Sequence, residues 1–281
     1  MKMRMMVSCL WMLMAVAVAG VRAEAPAAVR AEDTPKVVEM KGYHLRAGDT
    51  VLFLGDSITA ETKYFYKIFF EDIDKKYPEL DRVDGAKIKY DGKVFKGGKL
   101  TFVNGGLSGD IAAGGLKRLP GLIEQWKPTV CVVCFGMNDR YKDRKGYVRN
   151  MKDIVEMLKK NNVAVTILTS PNVGSVKHAE LKPFVAVLGE MAEEMKALAA
   201  EEKVAFADCY TPTKARGDDK GADVTWGDGI HPNETGHRIM ADALQAVWGF
   251  GLPLVKEGEA RPLPASPTVV GSATGGAGSG K

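Results

Sequence analysis

The chain has 281 residues, of which 46% are hydrophobic and 26% are charged, and this is enough apolar sequence for one sizeable folded core. Its formal net charge of +4 falls to +1 (4 − 3) without residues 1–23, because that segment contains Lys2, Arg4 and Arg22 and no acidic residue. So small a charge leaves no strong field that would favour nucleic acid or anionic lipid as a partner.

Residues 1–23 are predicted to be a secretory signal peptide. Basic Lys2 and Arg4 precede an apolar run of 16 residues that ends at Gly20, and a small-residue pattern that resembles a cleavage site ends at Ala23. The run is short for a membrane span. We therefore expect a secreted or periplasmic protein with no stable membrane span after cleavage, and an uncleaved anchor is the alternative.

The rest of the chain divides into three parts by composition. Residues 24–45 are rich in Ala, Glu, Pro and Val and are interpreted as a leader or linker. Residues 46–255 are predicted to form the folded domain. Residues 256–281 are rich in Pro, Gly and Ser and are predicted to be a disordered tail.

Strand and helix patterns alternate through the folded domain. Strands are predicted at residues 50–54, 100–104, 129–135, 163–169 and 204–208. Most are continuous apolar or β-branched runs, as expected for strands covered on both faces. Between them apolar residues recur at helical spacing, most clearly at Phe184, Leu188, Met191, Met195 and Leu198. The alternation predicts an α/β fold with helices around a parallel sheet.

About 45 residues separate the first two predicted strands, which is more than one crossover helix requires. The excess lies around residues 81–98, a segment rich in Lys, Gly and Asp. It is interpreted as a β-hairpin or as a long loop that covers the site as a lid.

Three cysteines follow the signal peptide, namely Cys131, Cys134 and Cys209. An odd and small number argues against a disulfide scaffold. Cys131 and Cys134 lie three residues apart in a strand-like run, so their side chains are expected on opposite faces rather than together on a metal. Buried, unreactive thiols are the favoured interpretation.

A serine that could act as a nucleophile follows the first strand. The stretch Gly-Asp-Ser-Ile-Thr places Ser57 at the carboxyl edge of the sheet, where a helix is predicted to begin. Gly55 permits a tight turn, and a helix N-terminus favours developing negative charge. A serine at this place is more often a helix cap, so the stretch alone does not establish a nucleophile.

Possible donors to an oxyanion are found after three consecutive strands. Acyl transfer requires preorganised hydrogen-bond donors where the carbonyl oxygen acquires charge. The amide of Ser57 is one candidate, and the side-chain amide of Asn138 after the third strand is another. The turn after the second strand holds Gly105, Gly106 and Gly109, any of which can bring a backbone amide close to a ligand. The sequence leaves the choice among these glycines open, and ordinary turns are the alternative.

A base with an orienting group lies near the end of the domain. Asp228 and His231 are three residues apart, so the carboxylate can fix the imidazole tautomer within one local turn. Pro232 disfavours helical geometry at His231, which should therefore precede the final helix. The alternative is a chance spacing with a surface or capping histidine.

In a doubly wound sheet of order 2-1-3-4-5 these groups can meet, because the first strand lies between the second and the third. The 20 residues from Cys209 to Asp228, at ~3.3 Å each, are long enough to return across the ~14 Å between strand five and strand one.

The four stretches resemble the motif blocks of the SGNH (GDSL-type) hydrolases, in the family's order and over roughly residues 50–249. The blocks are Gly55-Asp56-Ser57-Ile58, Ser108-Gly109-Asp110, Gly136-x-Asn138-Asp139 and Asp228-x-x-His231. The resemblance implies a flavodoxin-like three-layer α/β/α sandwich with a five-stranded parallel sheet of order 2-1-3-4-5. It also implies that Ser57 is the nucleophile, His231 the base and Asp228 its partner. The implied oxyanion hole consists of Ser57, Gly109 and Asn138.

The resemblance implies a serine esterase that hydrolyses carboxylic esters through an acyl-enzyme, and the predicted signal peptide implies that it is exported. A carbohydrate O-acetyl esterase is the first expectation for its substrate, whether a small-molecule or a glycan ester. A lysophospholipase or thioesterase acting on lipid esters is the alternative, and a non-catalytic glycan-binding protein is the alternative of another class. No metal or other cofactor is predicted, because His44, His178 and His237 show no metal-ligand clustering. The oligomeric state is not predicted.

Overall fold

The structure is a computed structural model that describes residues 48–61, 68, 72, 75, 89–90, 94–97, 100–219 and 223–248. The predicted signal peptide, leader and tail lie outside the described residues, and they stay predictions. Within the described part of the chain, none of the helices combines the length and the apolar character that a membrane crossing requires.

The described strands form one sheet of seven strands in the order β2-β3-β4-β1-β5-β6-β7. They are β1 (Thr50–Gly55), β2 (Lys89–Tyr90), β3 (Val94–Gly97), β4 (Leu100–Gly106), β5 (Val130–Cys134), β6 (Ala164–Leu168) and β7 (Ala205–Ala207). From β4 to β7 all neighbours are parallel. These five strands are the five predicted ones, and their order along the sheet confirms the predicted 2-1-3-4-5 arrangement.

The two further strands come from the segment between the first and second predicted strands. β2 and β3 form an antiparallel hairpin, and β3 pairs antiparallel with β4. Of the two interpretations of this segment, the hairpin is confirmed, and it extends the sheet beyond β4. The rest of residues 81–98 lies outside the described residues, so a lid over the site stays a prediction.

Helices occupy the connections between the strands. Those whose bounds lie within the described residues are α1 (Ser57–Ala60), α2 (Ala112–Trp126), α3 (Asp139–Lys142), α4 (Tyr147–Lys160), α5 (Lys182–Glu202), α6 (Tyr210–Lys214) and α7 (Glu234–Val247), with a 3₁₀-helix at Ala179–Leu181 and a π-helix at Ala215–Asp219. Every residue of β5 and β6 is buried. Because successive strand residues point to opposite faces, complete burial means that both faces of the sheet are covered.

The apolar periodicities of the sequence correspond to the core faces of these helices. In α5, Leu188, Met191, Met195 and Leu198 are buried, and Phe184 is half-buried. The predicted assignment of this stripe to the core is thereby confirmed.

The three cysteines of the domain are free and buried, as predicted. Burial raises the pKa of the thiols of Cys131 and Cys134, and it raises that of Cys209 to about 12. All three are therefore protonated and unreactive at neutral pH.

Candidate active site

Ser57 is the first residue of α1, and only Asp56 separates it from the end of β1. The cap of this helix is the side chain of Asp56, which accepts a hydrogen bond of 2.9 Å from the backbone N–H of Ile58. The capping alternative for Ser57 is therefore wrong. A Cβ added to Gly55 would lie 2.1 Å from Thr59 Oγ1 and 2.5 Å from the carbonyl oxygen of Cys134, so the turn that presents Ser57 requires glycine.

The structure brings Ser57, His231 and Asp228 together as predicted. His231 Nε2 lies 2.8 Å from Ser57 Oγ, and His231 Nδ1 lies 2.6 Å from Asp228 Oδ2. The second carboxylate oxygen accepts hydrogen bonds from the backbone N–H groups of Ile230 and His231, at 2.9 and 3.0 Å. With Nδ1–H donating to Asp228, the lone pair of Nε2 faces the serine hydroxyl, which is the arrangement that general-base activation requires.

The charge of Asp228 is favoured by its surroundings. Partial burial raises its pKa, but the hydrogen bonds from the imidazole of His231 and from the two backbone N–H groups outweigh burial. The pKa of Asp228 therefore lies below its ordinary value. An ionised carboxylate at this position can stabilise a protonated imidazole at His231.

The loop that carries Asp228 and His231 is held by backbone hydrogen bonds. Trp226 N–H donates to the carbonyl oxygen of His231 at 2.8 Å, and Gly174 N–H donates to that of Gly229 at 2.7 Å. After His231 the side chain of Asn233 caps α7 by accepting from Gly236 N–H at 3.1 Å. His231 therefore precedes the final helix, as the sequence predicted.

The predicted oxyanion donors lie at the carboxyl ends of three adjacent strands, because β1 pairs with β4 on one side and with β5 on the other. Ser57 supplies the first helical N–H of α1, which has no acceptor within the helix. Asn138 Nδ2 donates to the carbonyl oxygen of Asp110 at 2.9 Å, and Lys142 Nζ donates to that of Gly109 at 2.8 Å. These bonds tie the loop after β4 to the residues after β5.

The predicted glycine turn is shorter than the sequence indicated. Gly105 and Gly106 are the last residues of β4, and only Gly109 lies in the turn itself, with a φ of +77°. A Cβ on Gly106 would lie 2.2 Å from the backbone nitrogen of Ala60, and one on Gly105 would lie 2.8 Å from the carbonyl oxygen of Phe53. These two glycines therefore permit close packing of β4, and the assignment of both to the turn was wrong.

Arg118 of α2 is part of the site's framework, although the sequence analysis did not identify it. Its Nε donates to Asp110 Oδ2 at 2.8 Å, its Nη2 donates to the carbonyl oxygen of Gly55 at 2.9 Å, and its Nη1 donates to that of Gly105. One side chain thus connects the ends of β1 and β4 to the loop that contains Gly109. No sequence signal separates Arg118 from any other basic residue on a helix.

Two acidic residues of the motif blocks are buried. Burial raises the pKa of Asp56 to about 7; the N–H of Ile58 and the charge of His231 oppose this, and nearby carboxylates reinforce it. Burial also raises the pKa of Asp139 to about 6, although its carboxylate accepts from the N–H groups of Ala112 and Gly136. Asp139 thereby joins the start of α2 to the turn that holds Asn138.

The surroundings of Ser57 are open and partly aromatic. The side chains of His231 and Asp228 are 40% and 46% exposed. Among the described residues, the exposed large hydrophobic side chains are Leu107, Tyr141, Val176 and Trp226. The hydroxyl of Tyr141 lies 3.4 Å from Asn138 Oδ1, and Trp226 is paired through its backbone with His231. An exposed aromatic ring, that of Tyr141, therefore adjoins the oxyanion side of the site, and the exposed Trp226 belongs to the backbone segment that pairs with His231.

Comparison with known proteins gives one family match and two curated relatives. Residues 53–239 match the model of the GDSL-like lipase/acylhydrolase family. The chain is 30% identical over 134 residues to an arylesterase of Vibrio mimicus, covering 46% of this chain and 60% of the relative. It is 29% identical over 214 residues to the esterase TesA of Pseudomonas aeruginosa, covering 74% of this chain and 90% of the relative.

Solved structures share the fold. A mutant of Axe2, an acetylxylan esterase from Geobacillus stearothermophilus, superposes with a TM-score of 0.57 at 19% identity and covers 75% of this chain and 97% of its own. A lipase/acylhydrolase from Enterococcus faecalis gives a TM-score of 0.53 at 19% identity, and the superposition covers 72% of this chain and 96% of that protein.

Proposed function

This chain belongs to the GDSL-like lipase/acylhydrolase family and is an ester-hydrolysing enzyme, and we propose that it is an exported carbohydrate O-acetyl esterase with Ser57 as its nucleophile. The observation that supports this mechanism is the pair of hydrogen bonds that connects Asp228 to His231 and His231 to the hydroxyl of Ser57. Membership of the family agrees with the resemblance seen in the four motif blocks.

In the proposed reaction, His231 Nε2 accepts the proton of Ser57 as the serine oxygen attacks the ester carbonyl. The oxyanion accepts hydrogen bonds from the backbone N–H groups of Ser57 and Gly109 and from the side-chain amide of Asn138. The imidazolium, stabilised by Asp228, then gives its proton to the leaving alcohol. Water, deprotonated by His231, attacks the acyl-enzyme, releases the acid and restores Ser57.

The open, aromatic surroundings of the site favour a carbohydrate substrate. A sugar presents apolar C–H faces that stack on aromatic rings, together with hydroxyl groups that need polar partners. The exposed ring of Tyr141 adjoins Asn138, and Trp226, which is also exposed, is paired with His231 through its backbone. The acetylxylan esterase among the structures of the same fold supports this choice of substrate class. A signal peptide would deliver the enzyme to the compartment where such polymers occur.

A lipid ester hydrolase of the lysophospholipase or thioesterase type is the second candidate. Leu107, which is 53% exposed in the loop just before Gly109, offers one apolar contact to an acyl chain. A long acyl chain requires a continuous apolar groove to gain from its burial, at about 0.8 kcal/mol per methylene group. The exposed aromatic and charged side chains of the described surface favour the carbohydrate instead.

The deciding experiment compares substrates on the protein that begins after Ala23. We expect kcat/KM for p-nitrophenyl acetate to exceed that for the octanoyl ester by at least about tenfold, and acetate to be released from O-acetylated oligosaccharides. Preference for octanoyl over acetyl esters would support the lipid candidate. Failure of a fluorophosphonate to label Ser57 would instead support a glycan-binding protein without turnover. Export is tested separately, by sequencing the N-terminus of the extracytoplasmic protein.

A further inference from the structure

A pocket lies beside the loop that carries the base of the site. It is a shallow depression that is open to solvent, and Trp226, Val176 and Asp223 are among its lining residues. None of the residues placed in the catalytic mechanism lines the pocket, so the proposed chemistry does not account for it.

The pocket is built on the same backbone as the catalytic histidine. Trp226 pairs with His231 through a backbone hydrogen bond of 2.8 Å, and the neighbouring residues Thr225 and Pro232 form an antiparallel bridge. Gly174, which also lines the pocket, donates its N–H to the carbonyl oxygen of Gly229, between Asp228 and His231. An occupant of the pocket would therefore touch the loop that positions the base.

The lining combines one large aromatic ring with hydrogen-bonding groups. Trp226 is 45% exposed and Val176 is 57% exposed, so both offer apolar surface to a ligand. At the rim Lys177 Nζ lies 2.8 Å from Asp223 Oδ2, and both side chains are more than half exposed. The ammonium and the carboxylate can donate and accept hydrogen bonds, while their charges cancel.

We propose that this pocket is a subsite for a neutral sugar unit of the glycan that carries the acetyl group cleaved at Ser57. The proposal rests on the carbohydrate esterase function proposed above. A pyranose ring stacks its C–H face on an indole and directs its hydroxyls to polar groups at the edge, which is the combination that the pocket offers. The cancelled charge of the Lys177–Asp223 pair gives no preference for a polyanion or a polycation. An acyl chain would leave that pair without compensating contacts.

The subsite predicts a dependence on substrate length. A glycan with several units can place one of them in the pocket while its acetyl group lies at Ser57, whereas a single acetylated sugar has no further unit to place there. The quantity to measure is the ratio of kcat/KM for an O-acetylated tetrasaccharide to that for the corresponding acetylated monosaccharide. Xylose, glucose and mannose series provide the probes.

We expect Trp226→Ala to reduce this ratio by about tenfold, mainly through a higher KM for the tetrasaccharide, and Trp226→Phe to restore most of it. Tyr141→Ala is the matched control. Its exposed ring adjoins Asn138 rather than the pocket, so its removal should change monosaccharide and tetrasaccharide alike and leave the ratio unaltered.

Three results would overturn the subsite, and they have different meanings. An unchanged ratio in Trp226→Ala would show that the pocket binds no sugar unit, while the esterase assignment would stand. An equal loss on both substrates, not rescued by phenylalanine, would show that Trp226 only supports the His231 loop. Turnover of p-nitrophenyl acetate without release of acetate from any of the sugars would overturn the carbohydrate function together with its subsite.

Discussion

His231 Nε2 lies 2.8 Å from the hydroxyl oxygen of Ser57, although the two residues are 174 positions apart along the chain. Ser57 stands at the end of β1, the central strand of the sheet, and His231 stands between β7 at the sheet edge and α7. The meeting depends on the long connection after β7, which returns the chain across the carboxyl ends of the strands. The first prediction tests whether this contact performs the chemistry.

Ser57→Ala and His231→Ala should each reduce kcat for p-nitrophenyl acetate by about 10⁴-fold or more, because nucleophile and base act as one unit and the loss of either abolishes acyl-enzyme formation. Fluorophosphonate labelling, read by mass spectrometry, should disappear in Ser57→Ala. Ser108→Ala is the control, since Ser108 is an exposed serine on the neighbouring loop, and labelling should persist there. Wild-type turnover in either of the first two variants would contradict the assignment.

Asn138→Ala should reduce kcat by about 10²–10³-fold with a much smaller change in KM, because an oxyanion donor stabilises charge that develops only in the transition state. Steady-state kinetics on a short ester provide the measurement. Asn161→Ala serves as control. Asn161 lies between the end of α4 and the start of β6, so it is at the amino ends of the parallel strands, whereas the candidate site is at their carboxyl ends. If KM alone rises in Asn138→Ala, its amide binds the substrate without stabilising the oxyanion.

The sequence could place the candidate catalytic residues because each stands next to a strand or helix boundary that can be recognised. Ser57 follows an apolar strand, and Pro232 marks the residue before the last helix. The order of the five parallel strands came with the family resemblance. The boundary of β4 was placed too early, because glycine normally signals a turn, whereas Gly105 and Gly106 are required by close contacts inside the sheet.

The residues that support the chemistry could not be predicted in this way. Arg118 acts through three contacts that are made across 8, 13 and 63 positions in sequence, and only the packed structure brings these together. The burial of Asp56 and the exposure of Trp226 likewise depend on which elements cover them. A local pattern carries no information about such tertiary surroundings.

Arg118→Met should lower the free energy of unfolding by about 1–3 kcal/mol, because the carbonyl oxygens of Gly55 and Gly105 would lose a charged donor. It should also reduce kcat by about tenfold, since the loop with Gly109 would lose its connection to the strand ends. Urea unfolding and short-ester kinetics measure the two effects. Arg118→Lys retains the charge near Asp110 but has a single donor atom, so it should recover part of the stability. Wild-type kcat in Arg118→Met would show that the loop keeps its geometry without the guanidinium.

The buried carboxyl group of Asp56 gives stability a pH dependence of defined sign. Its pKa is raised from 3.8 to about 7 in the folded protein. Between about pH 4 and pH 7 the folded state therefore holds a proton that the unfolded state has released, and the slope of the unfolding free energy with pH is negative. Its contribution to stability is fully present below about pH 4 and is lost as the pH rises to about 7. Above pH 7 this group no longer changes the unfolding free energy.

Asp56→Asn removes this titration while its side-chain oxygen can still accept from the N–H of Ile58. The variant should therefore gain stability relative to the wild type as pH rises from 4 to 7, by up to about 1.4 kcal/mol per pH unit. Urea unfolding of both proteins at pH 4.5, 6, 7.5 and 9 measures the difference. The charge of Asp139, whose own pKa is about 6, contributes to the raised pKa of Asp56, so the comparison measures the loss of the Asp56 titration together with its effect on Asp139. A difference that is independent of pH, or that shrinks between pH 4.5 and 7.5, would show that Asp56 is already ionised in the folded protein at acid pH.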